Sequence, residues 1–246
     1  MLTEPTQSKL AAMRLHGMLD AWREQQSTTS TSKLSFDERF ALLVDAEELY
    51  RENRRLTRYM REAKLRIANA CIEDVDFAAG RNLDRAVVRQ LASCRWITEQ
   101  QNVTVTGATG VGKTYLACAL AHQACRKGHR AIYRRASRFF DELTLARADG
   151  TYERLLSRLA RVDVLVIDDW GLAPMKPVER RDLLEVLEDR YATRSTIITS
   201  QLPTSKWHEH IGDPTLADAI CDRVLHNAHK ILLKGPSRRK DRRKKK

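Results

Sequence analysis

Eight consecutive residues carry the clearest chemistry in this 246-residue chain: Gly107-Ala108-Thr109-Gly110-Val111-Gly112-Lys113-Thr114. They fit Gly-x4-Gly-Lys-[Ser/Thr], a pattern that cradles a polyphosphate. Glycines let backbone N–H groups turn inward and approach phosphate closely. A helix opening at the lysine adds partial positive charge. Lys113 is placed to reach the β- and γ-phosphates, and Thr114 to offer its hydroxyl to Mg2+; Tyr115 closes the segment expected to touch ATP. Such a pattern also arises by chance, so its context decides. The apolar run Val103-Thr-Val-Thr106 precedes it as a strand. An amphipathic helix follows, with Leu116, Ala119, Leu120 and Ala124 on one side and Gly128 as its stop.

Val164-Leu-Val-Ile-Asp168-Asp169 supplies the acids such a site needs. A buried strand that ends in carboxylates delivers them beside a metal. Asp168 is expected to orient Mg2+ through water, and Asp169 to polarise the attacking water. Hydrolysis also calls for positive charge on the transition state. Arg223, Arg238 and Arg239 are candidates, although composition alone leaves each as an ordinary surface arginine.

These residues need a scaffold. Strands are expected at 103–106, 131–133, 164–167, 196–199 and 230–233, with helical stretches between them. That alternation predicts an α/β fold with a central parallel sheet. Before residue 70 the pattern is purely helical. Leu15, Met18, Leu19 and Trp22 mark one face of a helix over 9–25. Ser27-Thr-Thr-Ser-Thr-Ser32 reads as a linker, and Ser35 as the cap of a second helix running to about Ala68. Phe36, Phe40, Leu43 and Tyr50 are expected on its buried side. The domains expected are a small all-α N-terminal domain (1–68), an ATPase domain (69–236) and a basic tail (237–246).

The net charge is +12, and the last ten residues hold eight basic side chains and one acid. An acidic partner fits that excess, and nucleic acid is the commonest; a solvated basic tail fits it equally. The stripe Arg51, Arg54, Arg55, Arg58 and Arg61 has the same two readings, a salt-bridged face or phosphate contact. Five cysteines without Cys-x-x-Cys spacing point to a reducing cytosol, with the thiols as core residues. No apolar run approaches the ~18 residues of a membrane span. His208, His210, His226 and His229 have no cysteine to complete a metal site and read as surface or capping residues. Trp22, Trp96, Trp170 and Trp207 read as packing residues.

Taken together, Leu15-His-Gly-Met18, Phe36-Asp-Glu-Arg39, Glu73-Asp-Val-Asp-Phe77, Asp168-Asp-Trp-Gly171, Glu185-Val-Leu-Glu-Asp-Arg-Tyr191, Thr199-Ser-Gln-Leu-Pro203, Trp207-His208 and Ala217-Asp-Ala-Ile-Cys-Asp-Arg223 resemble the IstB-type transposition helper ATPases. These belong to the DnaC/DnaA-like branch of AAA+ proteins. The resemblance spans almost the whole chain. It implies that Gln201 is a γ-phosphate sensor, that Arg223 is donated to a neighbouring subunit, and that Arg239, with Arg238 as the adjacent alternative, is a second sensor. Pro236 stands where the family carries an acid, and Asp169 where the wider superfamily carries a glutamate. An extra helical element between the second and third strands is implied too. There Arg135, Arg138, Arg147, Arg154 and Arg158 are offered to DNA phosphates, with a solvated helix face as the alternative. The partners implied are double-stranded DNA, a transposase and further copies of the chain in an ATP-bridged oligomer, in the bacterial cytosol. A DnaC-like helicase loader is the nearest alternative; a small-molecule kinase and an ATP-switched scaffold are more distant ones.

Overall fold

A left-handed residue decides the start of the fold. In the computed structural model, which describes residues 3–28, 33–78 and 80–238, α1 (Thr3–Ala12) and α2 (His16–Ser27) replace the single helix expected over 9–25. Arg14 takes a φ of 60° between them, a conformation a helix interior does not accept. Contacts divide the chain into two units, Met1–Arg58 and Tyr59–Lys246.

In the first unit α3 (Phe36–Ala63) begins at a capping box. The Ser35 amide donates to Glu38 Oε2 at 2.8 Å, and the Glu38 amide donates to Ser35 Oγ at 3.3 Å. The helix stops at Ala63 rather than near 68, because Lys64 turns left-handed with a φ of 50°. α2 crosses α3 at Gly17, where any Cβ would collide with the Ala46 carbonyl and with Glu47 and Tyr50. The buried Glu47 carboxylate accepts the Gly17 and Met18 amides at 2.8 and 3.2 Å. That crossing corrects one expectation. Phe36 and Phe40 are not buried but 78% and 49% exposed. Phe36 sits in the first turn of α3; it and Phe40 precede the Ala46–Tyr50 stretch that meets Gly17, and their rings stack on each other at 6.0 Å.

The second unit is built on five parallel strands: β1 (Asn102–Gly107), β2 (Ala131–Arg135), β3 (Val164–Trp170), β4 (Ser195–Ser200) and β5 (Ala228–Leu233). Their order is β2-β3-β4-β1-β5. Every strand ends at the same edge, the edge where ligands bind in open α/β sheets. α4 (Arg85–Ala92) and α5 (Arg95–Thr98) precede β1, and α6 (Lys113–Arg126) follows it. α7 (Ala136–Ala148) and α8 (Tyr152–Arg161) form the extra helical element between β2 and β3. α9 (Pro177–Arg190) leads to β4, and α10 (Trp207–Ile211) and α11 (Pro214–Leu225) to β5. This is the expected α/β fold with a central parallel sheet, preceded by N-terminal helices.

Phe139, Leu143, Leu159, Ile167, Trp170, Leu183, Val186 and Trp207 pack into one core cluster. Within this unit the Arg190 guanidinium is buried and donates to the Leu159 and Val162 carbonyls at 2.5 and 2.9 Å, to Thr196 Oγ1 at 3.1 Å, and to the Ser195 carbonyl. Cys94, Cys118 and Cys125 are buried free thiols, and burial pushes each up to about 11. His210 is not a surface residue: its ring packs edge-on against Trp170 at 5.3 Å.

Candidate nucleotide site

β1 is buried along its whole length and lies between β4 and β5, so the loop that leaves it emerges at the middle of the sheet edge. Two glycines there are compelled. Gly107 has a φ of 145°, and a Cβ on it would collide with the Leu233 carbonyl of β5. Gly110 has a φ of 84° and lies against Ser237. Neighbouring segments grip the same loop. Arg81 donates to the Val111 carbonyl at 2.6 Å, and the Arg238 amide donates to the Gly110 carbonyl at 3.0 Å. Arg238 also pairs with Asp76.

Lys113 opens α6 and is buried, with its ammonium 2.9 Å from the Gly107 and Ala108 carbonyls. Thr114 Oγ1 stands 3.0 Å from both oxygens of Asp168. Ala108 and Thr109 are exposed at the tip, and Thr109 donates to Gln201 Oε1 at 2.7 Å. The end of β4 is thereby tied to the loop. Tyr115 turns toward the Cys71 backbone at 3.5 Å, joining α6 to the segment before α4.

The acids sit on an irregular stretch of β3. Ile167 pairs with Ile198 and Trp170 with Ser200, so two residues, Asp168 and Asp169, face the single Thr199. This is a bulge, which re-aims side chains and sharpens the local twist. Asp169 has a φ of 60°. Asp168 is fully buried and receives Tyr133 Oη at 2.6 Å and Thr199 Oγ1 at 2.5 Å besides Thr114. Burial, then the bond to Asp168, hold the Tyr133 phenol far above its ordinary value. Arg66 and Arg135 approach Asp169 Oδ2 at 3.3 and 3.4 Å. Sequence reasoning gave no role to Thr199, Tyr133, Arg66 or Arg81. For Thr199 the signal was its place at the end of a strand beside the cradle; for Arg66 there was none.

A hydroxyl and a carboxylate are the hard oxygen donors that suit Mg2+. Asp168 accepts three hydroxyls, one of them from Thr114, so Thr114 and Asp168 are the residues that would hold the ion. Among the described residues no group of three His, Cys, Asp or Glu side chains could hold a metal on its own.

Arg223 does not join this cluster. Its carbonyl accepts Asn102 Nδ2 at 2.9 Å, which places it at the first residue of β1, whereas the loop leaves the last. Strand rise of ~3.3 Å per residue separates the two by roughly 16 Å. Arg223 pairs there with Glu188, beside a cavity of about 260 Å3 that Arg190, Arg194, His226 and Asn227 also line. Arg239 lies outside the described residues. Of the arginines offered to DNA, Arg138, Arg154 and Arg158 are exposed and Arg135 faces Asp169. Arg147 is engaged: Asp182 and Glu185 hold it at 2.6 and 3.4 Å, and it stacks on Tyr152 at 3.7 Å. Those contacts join α7, α8 and α9.

The IstB-like ATP binding protein family model matches residues 8–246. The chain belongs to that family. It is 50% identical over 245 residues to a Sinorhizobium fredii protein named insertion sequence ATP-binding protein y4pL, covering all of both chains. It is 50% identical over 205 residues to the insertion sequence IS1162 ATP-binding protein of Pseudomonas fluorescens, covering 83% of this chain and 89% of that one. Among solved structures, DnaI matches with a TM-score of 0.58 at 23% identity, covering 68% of this chain and 92% of that one. AMPPCP-bound DnaA from Aquifex aeolicus matches at 0.58 and 20%, covering 72% and 54%. The two structural likenesses carry the fold. This IstB-family chain is thus an ATPase of the AAA+ class. No helix among its described residues is long and apolar enough to cross a membrane.

Proposed function

We propose that this IstB-family ATPase assembles on double-stranded DNA with ATP and helps a partner transposase during insertion-sequence transposition. The observation that carries the assembly is the position of Arg223 at the opposite end of β1 from its own cradle. An arginine so placed serves a phosphate only on another subunit. Transposition is the context in which the names of its 50%-identical relatives stand. The division into a helical domain (1–68), an ATPase domain (69–236) and a basic tail (237–246) belongs to this proposal.

In this reading Gly107–Tyr115 wraps the triphosphate, and Lys113 leaves the Gly107 and Ala108 carbonyls for the β- and γ-phosphates. Thr114 and Asp168 would hold Mg2+, which would supply neutralisation of the phosphate charge. Asp169 polarises the attacking water. Gln201, already bonded to Thr109 in the cradle, senses the γ-phosphate. Arg223 from the neighbouring subunit stabilises the charge that develops in transfer, and Arg239 is the second sensor.

The test measures ATPase rate and particle mass with Mg2+, with and without duplex DNA. Both are expected to rise with DNA. A single subunit at saturating nucleotide and DNA overturns the assembly. Capture of a replicative helicase instead of a transposase overturns the transposition role.

A further inference from the structure

Arg66 lies three residues beyond the end of α3, on a stretch without regular structure. Its Nη1 stands 3.3 Å from Asp169 Oδ2 and 3.7 Å from Asp168 Oδ2. Arg135 Nε meets the same Asp169 oxygen at 3.4 Å. The same Asp168 Oδ2 accepts the Tyr133 hydroxyl at 2.6 Å. Two guanidinium groups therefore face the two carboxylates that the nucleotide site would use.

The chemistry of that contact works against hydrolysis. A carboxylate polarises water with a free lone pair and net negative charge, and two guanidinium groups on Asp169 Oδ2 occupy that oxygen and offset the charge. A hydrated Mg2+ and a guanidinium also compete for one patch of negative charge. The two sides of the contact differ in freedom. Asp168 is fully buried and held by three hydroxyls, whereas the Arg66 side chain is 45% exposed on an irregular segment. Swinging Arg66 away gives up two ion pairs made by a half-exposed guanidinium, those with Asp169 and Asp168. Moving the acids would unmake the end of β3. Arg66 is the part that yields.

We propose that Arg66 is a positioning residue that latches the acid pair: it keeps Asp169 out of use and sets the Mg2+ concentration at which the site loads. The proposal rests on the assignment of Asp168 and Asp169 as the metal and water acids. Because Arg66 directly follows the long helix α3, a partner that shifts the end of α3 would also shift the latch.

The experiment titrates Mg2+ against binding of a fluorescent, non-hydrolysable ATP analogue to the full chain. Wild type, Arg66→Gln, Arg66→Lys and Arg135→Gln are compared, and DNA-free turnover of ATP is measured alongside. Glutamine keeps a hydrogen-bonding group but loses the charge. Arg66→Gln is expected to lower the half-saturating Mg2+ by about fivefold, the scale of one such ion pair, and to raise DNA-free turnover severalfold. Arg66→Lys keeps the wild-type midpoint. Arg135→Gln, which faces only Asp169, raises turnover and leaves the midpoint in place; it also serves should Arg66→Gln fail to fold. An unchanged midpoint in Arg66→Gln overturns the latch, as does a raised midpoint with lost turnover. Wild-type protein whose analogue binding ignores Mg2+ overturns the site assignment, and the latch falls with it.

Discussion

The Thr199 hydroxyl donates to Asp168 Oδ1 at 2.5 Å, and Thr199 Oγ1 itself accepts the amide of Asp169 at 2.9 Å. One buried side chain on β4 thus fixes both acids of β3, at the point where two residues face one. Thr199→Val keeps the shape and removes both bonds. It leaves the part-buried Asp169 amide without its acceptor and Asp168 Oδ1 with Thr114 alone, a cost of about 1 kcal/mol or more. The melting temperature should fall, and ATP turnover should fall at least tenfold with a smaller change in nucleotide affinity. Turnover equal to wild type in the folded variant removes Thr199 from the site.

Gly17 and Glu47 make the corresponding test in the N-terminal unit. Gly17→Ala drives a methyl group into the backbone of α3, and overpacking of this kind costs about 1–3 kcal/mol. Burial pushes the Glu47 carboxyl up, but the Arg51 hydrogen bond and the Met18 and Gly17 amides outweigh it, so the folded value lies below the ordinary one. Stability from this group is therefore complete above the unfolded value of ~4.3 and is lost as pH falls through the lower folded one. Glu47→Gln should flatten that acid limb in a pH series of thermal melts while nucleotide affinity at neutral pH stays unchanged. An unaltered acid limb sinks the assignment.

The cradle was legible because its chemistry is local. Gly107, Gly110, Lys113 and Thr114 are adjacent in sequence, and strand and helix patterns flank them. All five strands were legible from short apolar runs, although each runs one to three residues longer in the structure at one or both ends. What stayed hidden depends on tertiary pairing. No periodicity announces that Arg14 turns left-handed or that Phe40 stays exposed. Arg147 looked like a phosphate ligand because Asp182, its partner, is 35 residues away on another helix. The remoteness of Arg223 from its own loop emerges only when Asn102 pins it to the start of β1.

The arginines of α7 and α8 divide accordingly. Substituting Arg138, Arg154 and Arg158 together by Ala should weaken duplex DNA binding at every sequence tested. It should also reduce the slope of log K against log salt by about three, one for each lost phosphate contact. Arg147→Ala should leave that slope intact and instead lower the melting temperature, since it strips the cationic partner from the buried Asp182 and leaves it only the Tyr152 hydroxyl at 3.1 Å. A slope unchanged by the triple substitution places the DNA elsewhere on the protein.

Arg223 gives the sharpest test of assembly. Arg223→Ala should bind ATP with wild-type affinity, because its own cradle lies at the other end of the strand. Its turnover should fall about 10³-fold, the scale of a missing trans arginine. Lys113→Ala should lose nucleotide binding while presenting an intact Arg223. Mixed on DNA, the two inactive proteins should recover activity. At some interfaces the intact cradle of the Arg223→Ala subunit meets the arginine of the Lys113→Ala subunit. Loss of Arg223 costs one bond to Glu188 and one to the Ala219 carbonyl on the same unit, so the fold should survive, as circular dichroism would verify. A mixture as inactive as its components means that the charge comes from within the subunit, and Arg223 is then a structural residue.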